Sequence, residues 1–245
     1  FYHDLKFEEV RSIFKLFFPF SILSIPFVLV VSQPDLGTAL SILMLGILIL
    51  FASGVRIWKF ILGSIFVIVS IPVFLNYLKP YQKERVISFL NPEADALGGG
   101  YQLMQSKIAL GSGGLAGKGF LQGTQSYLEF LPEKHTDFIF TLIGEEFGFI
   151  GTIFVLFLFS LIILICFYIS FRSFHIFGRV LSLGIACNIF LYVLLNMSMV
   201  TGLMPVVGIP LPLISYGGTA MLAVMISFGL LLNIDINYNN KKLEN

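Results

Sequence analysis

A run of charged and polar residues, FLPEKHTDFIF, occupies positions 130–140 and ends at Asp137, immediately before a long apolar stretch. A carboxylate at that border has two physical readings. It can stabilise the start of a helix, where the backbone amides and the helix dipole favour an anion. It can also act as a general base at the edge of a bilayer, taking a proton from a hydroxyl as that hydroxyl attacks, a step typically worth about 10²–10⁴-fold. Taken alone, the position favours capping. A second pair of acids, Glu145 and Glu146 in GEEFGFIG, lies eight and nine residues further on, ~12–14 Å along a helix. Carboxylates inside an apolar run are costly and face protein or water, so structural pairing and function are equally open for them. Adjacent helical positions also diverge by about 100°, which points the two in different directions.

The remaining chemistry-bearing residues are cations and one further acid. GSGGLAGKG at 111–119 suggests a phosphate loop, but Ser112 stands where the pattern needs its first Gly and Gly119 where it needs Ser or Thr. Nucleotide binding is therefore excluded, and a tight turn carrying Lys118 is the simpler reading. A weaker alternative is that its amides and Lys118 hold a pyrophosphate. QPDLGT at 33–38 places Asp35 between two apolar runs, where it caps the following helix or faces a polar cavity. MPVVGIPLPLISYGGTA at 204–220 is uncharged and too rich in Pro and Gly for a regular helix, which suits a re-entrant loop or a groove wall.

These residues must be positioned by membrane helices. The chain of 245 residues is 57% hydrophobic and 12% charged, with a mean hydropathy of +0.92. Soluble domains carry about 25% charged residues. The composition predicts an all-α polytopic membrane protein. A net charge of +1 gives no sign of nucleic-acid binding. Cys166 and Cys187 both fall in apolar runs, which argues against a structural disulfide, and no Cys/His spacing suggests zinc.

Six apolar runs approach the ~20 residues a span requires: about 13–31, 37–53, 58–76, 138–170, 179–200 and 217–233. The fourth is long enough to tilt or to extend beyond the bilayer. Lys and Arg in short loops (Lys6, Arg11 and Lys15; Arg56 and Lys59; Arg172 and Arg179; Lys241 and Lys242) mark the cytoplasmic side and place both ends inside. One membrane domain thus covers 1–245, with one long extracytoplasmic loop, 77–137, between the third and fourth spans. That loop holds six acidic and six basic residues, and its length suits function. Within it, QLMQSKIAL at 102–110 has helical apolar spacing and could lie along the membrane interface. The polar opening FYHDLKFEEVR reads as an inter-helix loop that continues from upstream sequence.

Taken together, QPDLGT, RVISFLNPEAD (85–95), GYQLMQSKIALGSGGLAGKG (100–119), FLPEKHTDFIF, GEEFGFIG and GIPLPLISYGGTA (208–220) resemble, in order, the motifs of the SEDS family of polytopic membrane glycosyltransferases. That family polymerises the lipid-linked precursor of peptidoglycan. NPEAD, QGTQS (122–126) and GIPLPLISYGGT look more like the elongation member than the division member. Family members have more spans than six, so the resemblance implies that this is the C-terminal part of a larger protein.

The resemblance implies that Asp137 is the essential catalytic residue, taking the proton of the attacking sugar hydroxyl. It implies cations for the departing pyrophosphate, with Arg85 and Lys118 ranked first and Lys107 and Lys134 behind them; a divalent cation such as magnesium could share that role. Asp35, as a carboxylate between closely spaced spans, is a further substrate-binding candidate. No protein-held metal site or other cofactor is evident. The implied partners are lipid II, a class B penicillin-binding protein that cross-links the product, and other elongation-complex proteins, in the bacterial cytoplasmic membrane. Two rival readings remain: a transporter that flips the lipid precursor, which broken intramembrane segments also suit, and a non-catalytic scaffold for the transpeptidase.

Overall fold

The computed structural model describes residues 17–33, 35–77, 99–127 and 135–244. Every regular element among them is a helix: α1 (Phe17–Ser32), α2 (Leu36–Ala52), α3 (Ile57–Tyr77), α4 (Gly99–Ser112), α5 (Thr124–Tyr127), α6 (Ile139–Arg172), α7 (Ile176–Thr201) and α8 (Gly218–Glu244). The six apolar runs of the sequence correspond to α1, α2, α3, α6, α7 and α8. α6, α7 and α8 are long and apolar enough to cross a membrane, and α1 to α3 carry shorter apolar stretches. α8 continues past the expected end near 233, as a polar extension reaching Glu244.

Contacts divide the chain into two compact units. One comprises Phe1–Pro72, Leu161–Leu191 and Leu222–Asn245; the other comprises Val73–Ser160 and Tyr192–Met221.

In the first unit, α2 begins at Asp35. Its two carboxylate oxygens accept from the Thr38 amide at 3.0 Å and the Thr38 hydroxyl at 2.6 Å. This satisfies one of the amides that a helix start leaves unpaired. α2 ends in a turn at Gly54, whose φ of 92° suits a residue without Cβ. α1 packs closely on α2 at Gly46, where any Cβ would collide with the side chain of Leu23. Between α6 and α7, the Ser170 hydroxyl donates to Arg179 O at 2.8 Å.

α6 has 34 residues, ~51 Å if straight, which exceeds a hydrocarbon core of ~30 Å. The structure resolves that excess by a break, where the sequence suggested a single tilted or extended span. Gly148 has φ 67° and ψ −161°, outside the helical region, so a short first piece ends there. The remainder, Phe149 to Arg172, is ~36 Å long and suits one crossing. Its outer face exposes Phe154, Phe157, Leu164 and Phe171, as a lipid-facing helix should. α7 is the most enclosed span: 44% of its most apolar stretch is buried, against 11% for α6.

In the second unit, α4 is amphipathic. Leu103, Ser106 and Ala109 are buried at a spacing of three, while Met104, Lys107 and Ile108 are exposed. This matches the helix expected from QLMQSKIAL.

Candidate functional site

Asp137 lies in the turn 135–138, two residues before the first helical residue of α6. Three successive carbonyls in this segment are held from outside it. His135 O accepts from the Tyr216 amide at 2.9 Å. Thr136 O accepts from the Ser215 hydroxyl at 2.6 Å. Asp137 O accepts from Asn196 Nδ2 at 2.8 Å. The next residue, Phe138, is buried and anchors the turn apolarly. The Asp137 side chain is half-buried.

The donors come from α7 and from the Pro-rich segment that follows it. Asn196, fully buried on α7, uses its second amide hydrogen on Ile209 O at 2.7 Å. The Val207 and Gly208 amides point at the Met199 sulfur, at 3.3 and 3.4 Å. The Ser215 hydroxyl also accepts from the Leu211 amide at 2.7 Å, so one side chain closes the loop on itself and on Thr136. Gly208, at φ 72°, comes so near Asp137 that a Cβ there would stand 3.2 Å from Oδ2. Leu213 adopts a positive φ of 66°, which costs a non-Gly residue about 1 kcal/mol or more and marks a backbone held by its surroundings. The Pro-rich segment is therefore a wall that fixes the turn carrying Asp137.

Deeper in the unit, the Ser106 hydroxyl donates to Val200 O at 2.8 Å. Its one hydrogen is then used, so at 2.7 Å the Thr141 hydroxyl must donate to Ser106. This chain ties α4, the first turn of α6 and the end of α7 together, with Ser106 and Thr141 both fully buried.

A second polar cluster surrounds Glu145. Its Oε1 receives Lys118 Nζ at 2.8 Å, the Gln125 amide at 2.9 Å and the Thr124 hydroxyl at 3.3 Å. Glu145 is fully buried, whereas the Lys118 side chain is 26% exposed. Gly123 leaves the space that Oε2 occupies. Glu146 is buried as well, so the diverging directions expected for the two acids both lead inward.

The glycine run is fastened to the break in α6. The Lys118 and Gly119 amides donate to the carbonyls of Glu145 and Glu146, both at 3.0 Å. In return the Phe149 and Ile150 amides donate to Gly114 O and Leu115 O, at 2.9 and 3.1 Å. Two carbonyls and two amides that a broken helix would leave bare in an apolar setting are thereby paired. A Cβ on Gly113 or Gly148 would collide with main chain of the other segment, so both positions require glycine.

The structure brings Asp137 together with the Pro-rich wall, and Lys118 together with Glu145. Two of the loop amides considered for pyrophosphate serve the α6 carbonyls instead. Lys107 is exposed on α4, with its ammonium against Gly202 at the end of α7, where carbonyls favour a cation. Asp35 belongs to the first unit and caps α2. Arg85 and Lys134 lie outside the described residues. Among the described residues, no group of three or more His, Cys, Asp or Glu could hold a metal ion. Sequence reasoning passed over Asn196, Ser215 and the Ser106–Thr141 pair. An amide inside an apolar run, which Asn188 shares, was the available signal for Asn196.

Comparison with known proteins adds an independent line. Residues 5–240 match the model of the FtsW/RodA/SpoVE family, described as cell cycle protein. The chain is 48% identical over 211 residues to the peptidoglycan glycosyltransferase MrdB of Escherichia coli K12, covering 85% of this chain and 57% of that protein. It is 42% identical over 232 residues to a probable peptidoglycan glycosyltransferase FtsW of Trichlorobacter lovleyi, covering 94% of this chain and 60% of that one. It thus spans less than two thirds of the length of either relative. Among solved structures, it superposes with a TM-score of 0.76 and 28% identity on a chain from a peptidoglycan synthase complex studied for its coordination of polymerization and crosslinking, over 95% of this chain and 66% of that one. Thermus thermophilus RodA, a rod shape determining protein, shares the fold with a TM-score of 0.61 at 23% identity, over 95% of this chain and 61% of that one.

Proposed function

The chain belongs to the FtsW/RodA/SpoVE family of polytopic membrane proteins, and from that premise we propose that it carries the catalytic region of a peptidoglycan glycosyltransferase acting on lipid II. The observation that supports this most is the clamping of three successive carbonyls, His135 to Asp137, which gives one carboxylate a fixed position at the mouth of α6. A residue that only caps a helix has no need of such a mount; a base that must meet a hydroxyl within hydrogen-bond reach does.

In the proposed reaction, a sugar hydroxyl of one lipid-linked disaccharide attacks the anomeric carbon of another. The new C–O bond forms as the C–O bond to the polyprenyl pyrophosphate breaks. Asp137 receives the hydroxyl proton, and the pyrophosphate departs with the bonding pair. Its charge needs cations. Lys118 is engaged with Glu145, and Lys107 lies against the end of α7. We therefore assign the pyrophosphate to Arg85 and Lys134, with a divalent cation such as magnesium beside them. The polyprenyl tail explains a site at the bilayer edge. The proposed partner is a class B penicillin-binding protein within the elongation machinery, and the motifs NPEAD, QGTQS and GIPLPLISYGGT support the elongation role.

The test is lipid II polymerisation by the whole protein with its transpeptidase, wild type beside Asp137→Asn. Glycan from the wild type alone is the expected result. Movement of lipid II across vesicles with no new glycosidic bond, from either protein, would instead establish a transporter.

A further inference from the structure

The basic end of the first unit holds two adjoining cavities that the proposed chemistry does not use. One, of about 420 Å³, sits at the α6–α7 turn, with Ser173 and His175 on one side and Asn233, Asn237 and Tyr238 of α8 on the other. The second, of about 460 Å³, follows α7 from Ile176 past Gly184 to Asn188 and is closed by Ile49 of α2 and Ser227 of α8. Phe177 lines both, so the two share a wall.

Their chemistry differs. Two guanidiniums contact residues that line the first. Arg172 lies 4.9 Å over the Tyr168 ring and 4.5 Å over the Tyr238 ring, and donates to the Tyr168 hydroxyl at 2.8 Å. Arg179 donates to Ser173 O at 3.2 Å. Phe174 stacks on Tyr238 at 4.7 Å, completing an aromatic wall. Asp235 of α8 lies close enough to Arg172 to interact with it electrostatically. The second cavity is lined mainly by Leu, Ile, Val and Phe. From Ile176 to Asn188 it runs ~18 Å along α7. One leaflet of a ~30 Å hydrocarbon core is about that deep.

A cationic, aromatic pocket at the membrane boundary beside an apolar groove one leaflet deep has the form of a glycerophospholipid. We propose that the paired cavities hold an anionic phospholipid of the leaflet that Arg172 and Arg179 mark as cytoplasmic, with its phosphate at these two residues and an acyl chain against α7. Basic clusters at this depth attract anionic headgroups.

The test uses the whole protein in detergent and follows retention of phosphatidylglycerol and phosphatidylcholine by native mass spectrometry. Phosphatidylglycerol should be retained preferentially. Arg172→Gln combined with Arg179→Gln should cut its retention about tenfold and leave phosphatidylcholine unchanged. Gly184→Leu leaves the headgroup pocket intact and fills the groove; it should lower retention of the diacyl lipid. Equal retention of both lipids by the wild type would overturn the proposal, as would unchanged phosphatidylglycerol retention in both variants. Displacement by inorganic phosphate alone would show a site for free anions and would equally overturn it.

Discussion

Asn196 donates one hydrogen to Asp137 O at 2.8 Å and the other to Ile209 O at 2.7 Å, so a single buried amide joins the start of α6 to the Pro-rich wall. A carboxylic acid or a hydrocarbon of similar size cannot do this. In Asn196→Asp, an acceptor would face two carbonyls; in Asn196→Leu, both carbonyls would lose their donor. We expect each to cost about 1–3 kcal/mol of stability, with Asp the worse. Lipid II polymerisation should fall further than the loss of folded protein explains. Parallel thermal unfolding and glycan yield would check this; full activity in folded Asn196→Leu would refute the positioning role.

Asp137→Asn keeps the shape of the side chain and removes its basicity. Polymerisation should drop by about 10² or more, while the unfolding temperature stays near that of the wild type, because the clamp acts through main-chain carbonyls. Comparable losses of stability and turnover would reduce Asp137 to a structural residue.

Lys118 and Glu145 form a pair in which only the cation reaches solvent. Lys118→Ala strands a buried carboxylate and should destabilise by about 3 kcal/mol or more. Glu145→Gln alone should cost less, since the lysine can turn outward. Adding Glu145→Gln to Lys118→Ala should recover part of the loss. A double-mutant cycle on unfolding free energies measures this coupling; strict additivity would rule it out.

Gly148→Ala places a Cβ against the main chain of Leu115 and Gly117, at a φ of 67°. The strained dihedral costs about 1–2 kcal/mol before any clash. Gly63 of α3 and Gly229 of α8 have open space where a Cβ would stand. Ala at either helix position should be neutral or stabilising by up to about 1 kcal/mol. Hydrogen exchange at the Phe149 and Ile150 amides should rise in Gly148→Ala and stay unchanged in the two controls.

The helices were largely legible because hydropathy alone marks a span, and the six apolar runs became six apolar helices. The cap at Asp35 was legible too, since it depends on a residue three positions away. The break at Gly148 was not. The hydropathy of α6 is continuous there, and the groups that stabilise the break come from residues 114–119. Both halves of that lock were visible as motifs, yet nothing in either names the other. Asp137 drew attention as a charge at an apolar border. The clamp behind it stayed hidden because it binds carbonyls, which every residue possesses. Asn196 carried a faint sign, an amide in a span, easily passed over in a helix that also contains Asn188 and two serines.

The four hydrogen bonds joining residues 114–119 to the break in α6 run from main chain to main chain. They register the number of residues and are nearly blind to which residues these are, apart from the obligatory glycines. Leu115 is exposed and can vary widely; so can Phe147. Deleting Ala116 would move Lys118 and Gly119 out of step with Gly114 and Leu115, and the two pairs of bonds could not both re-form. Natural variation in this strap should therefore consist of substitutions, with insertions and deletions displaced to positions beyond its ends.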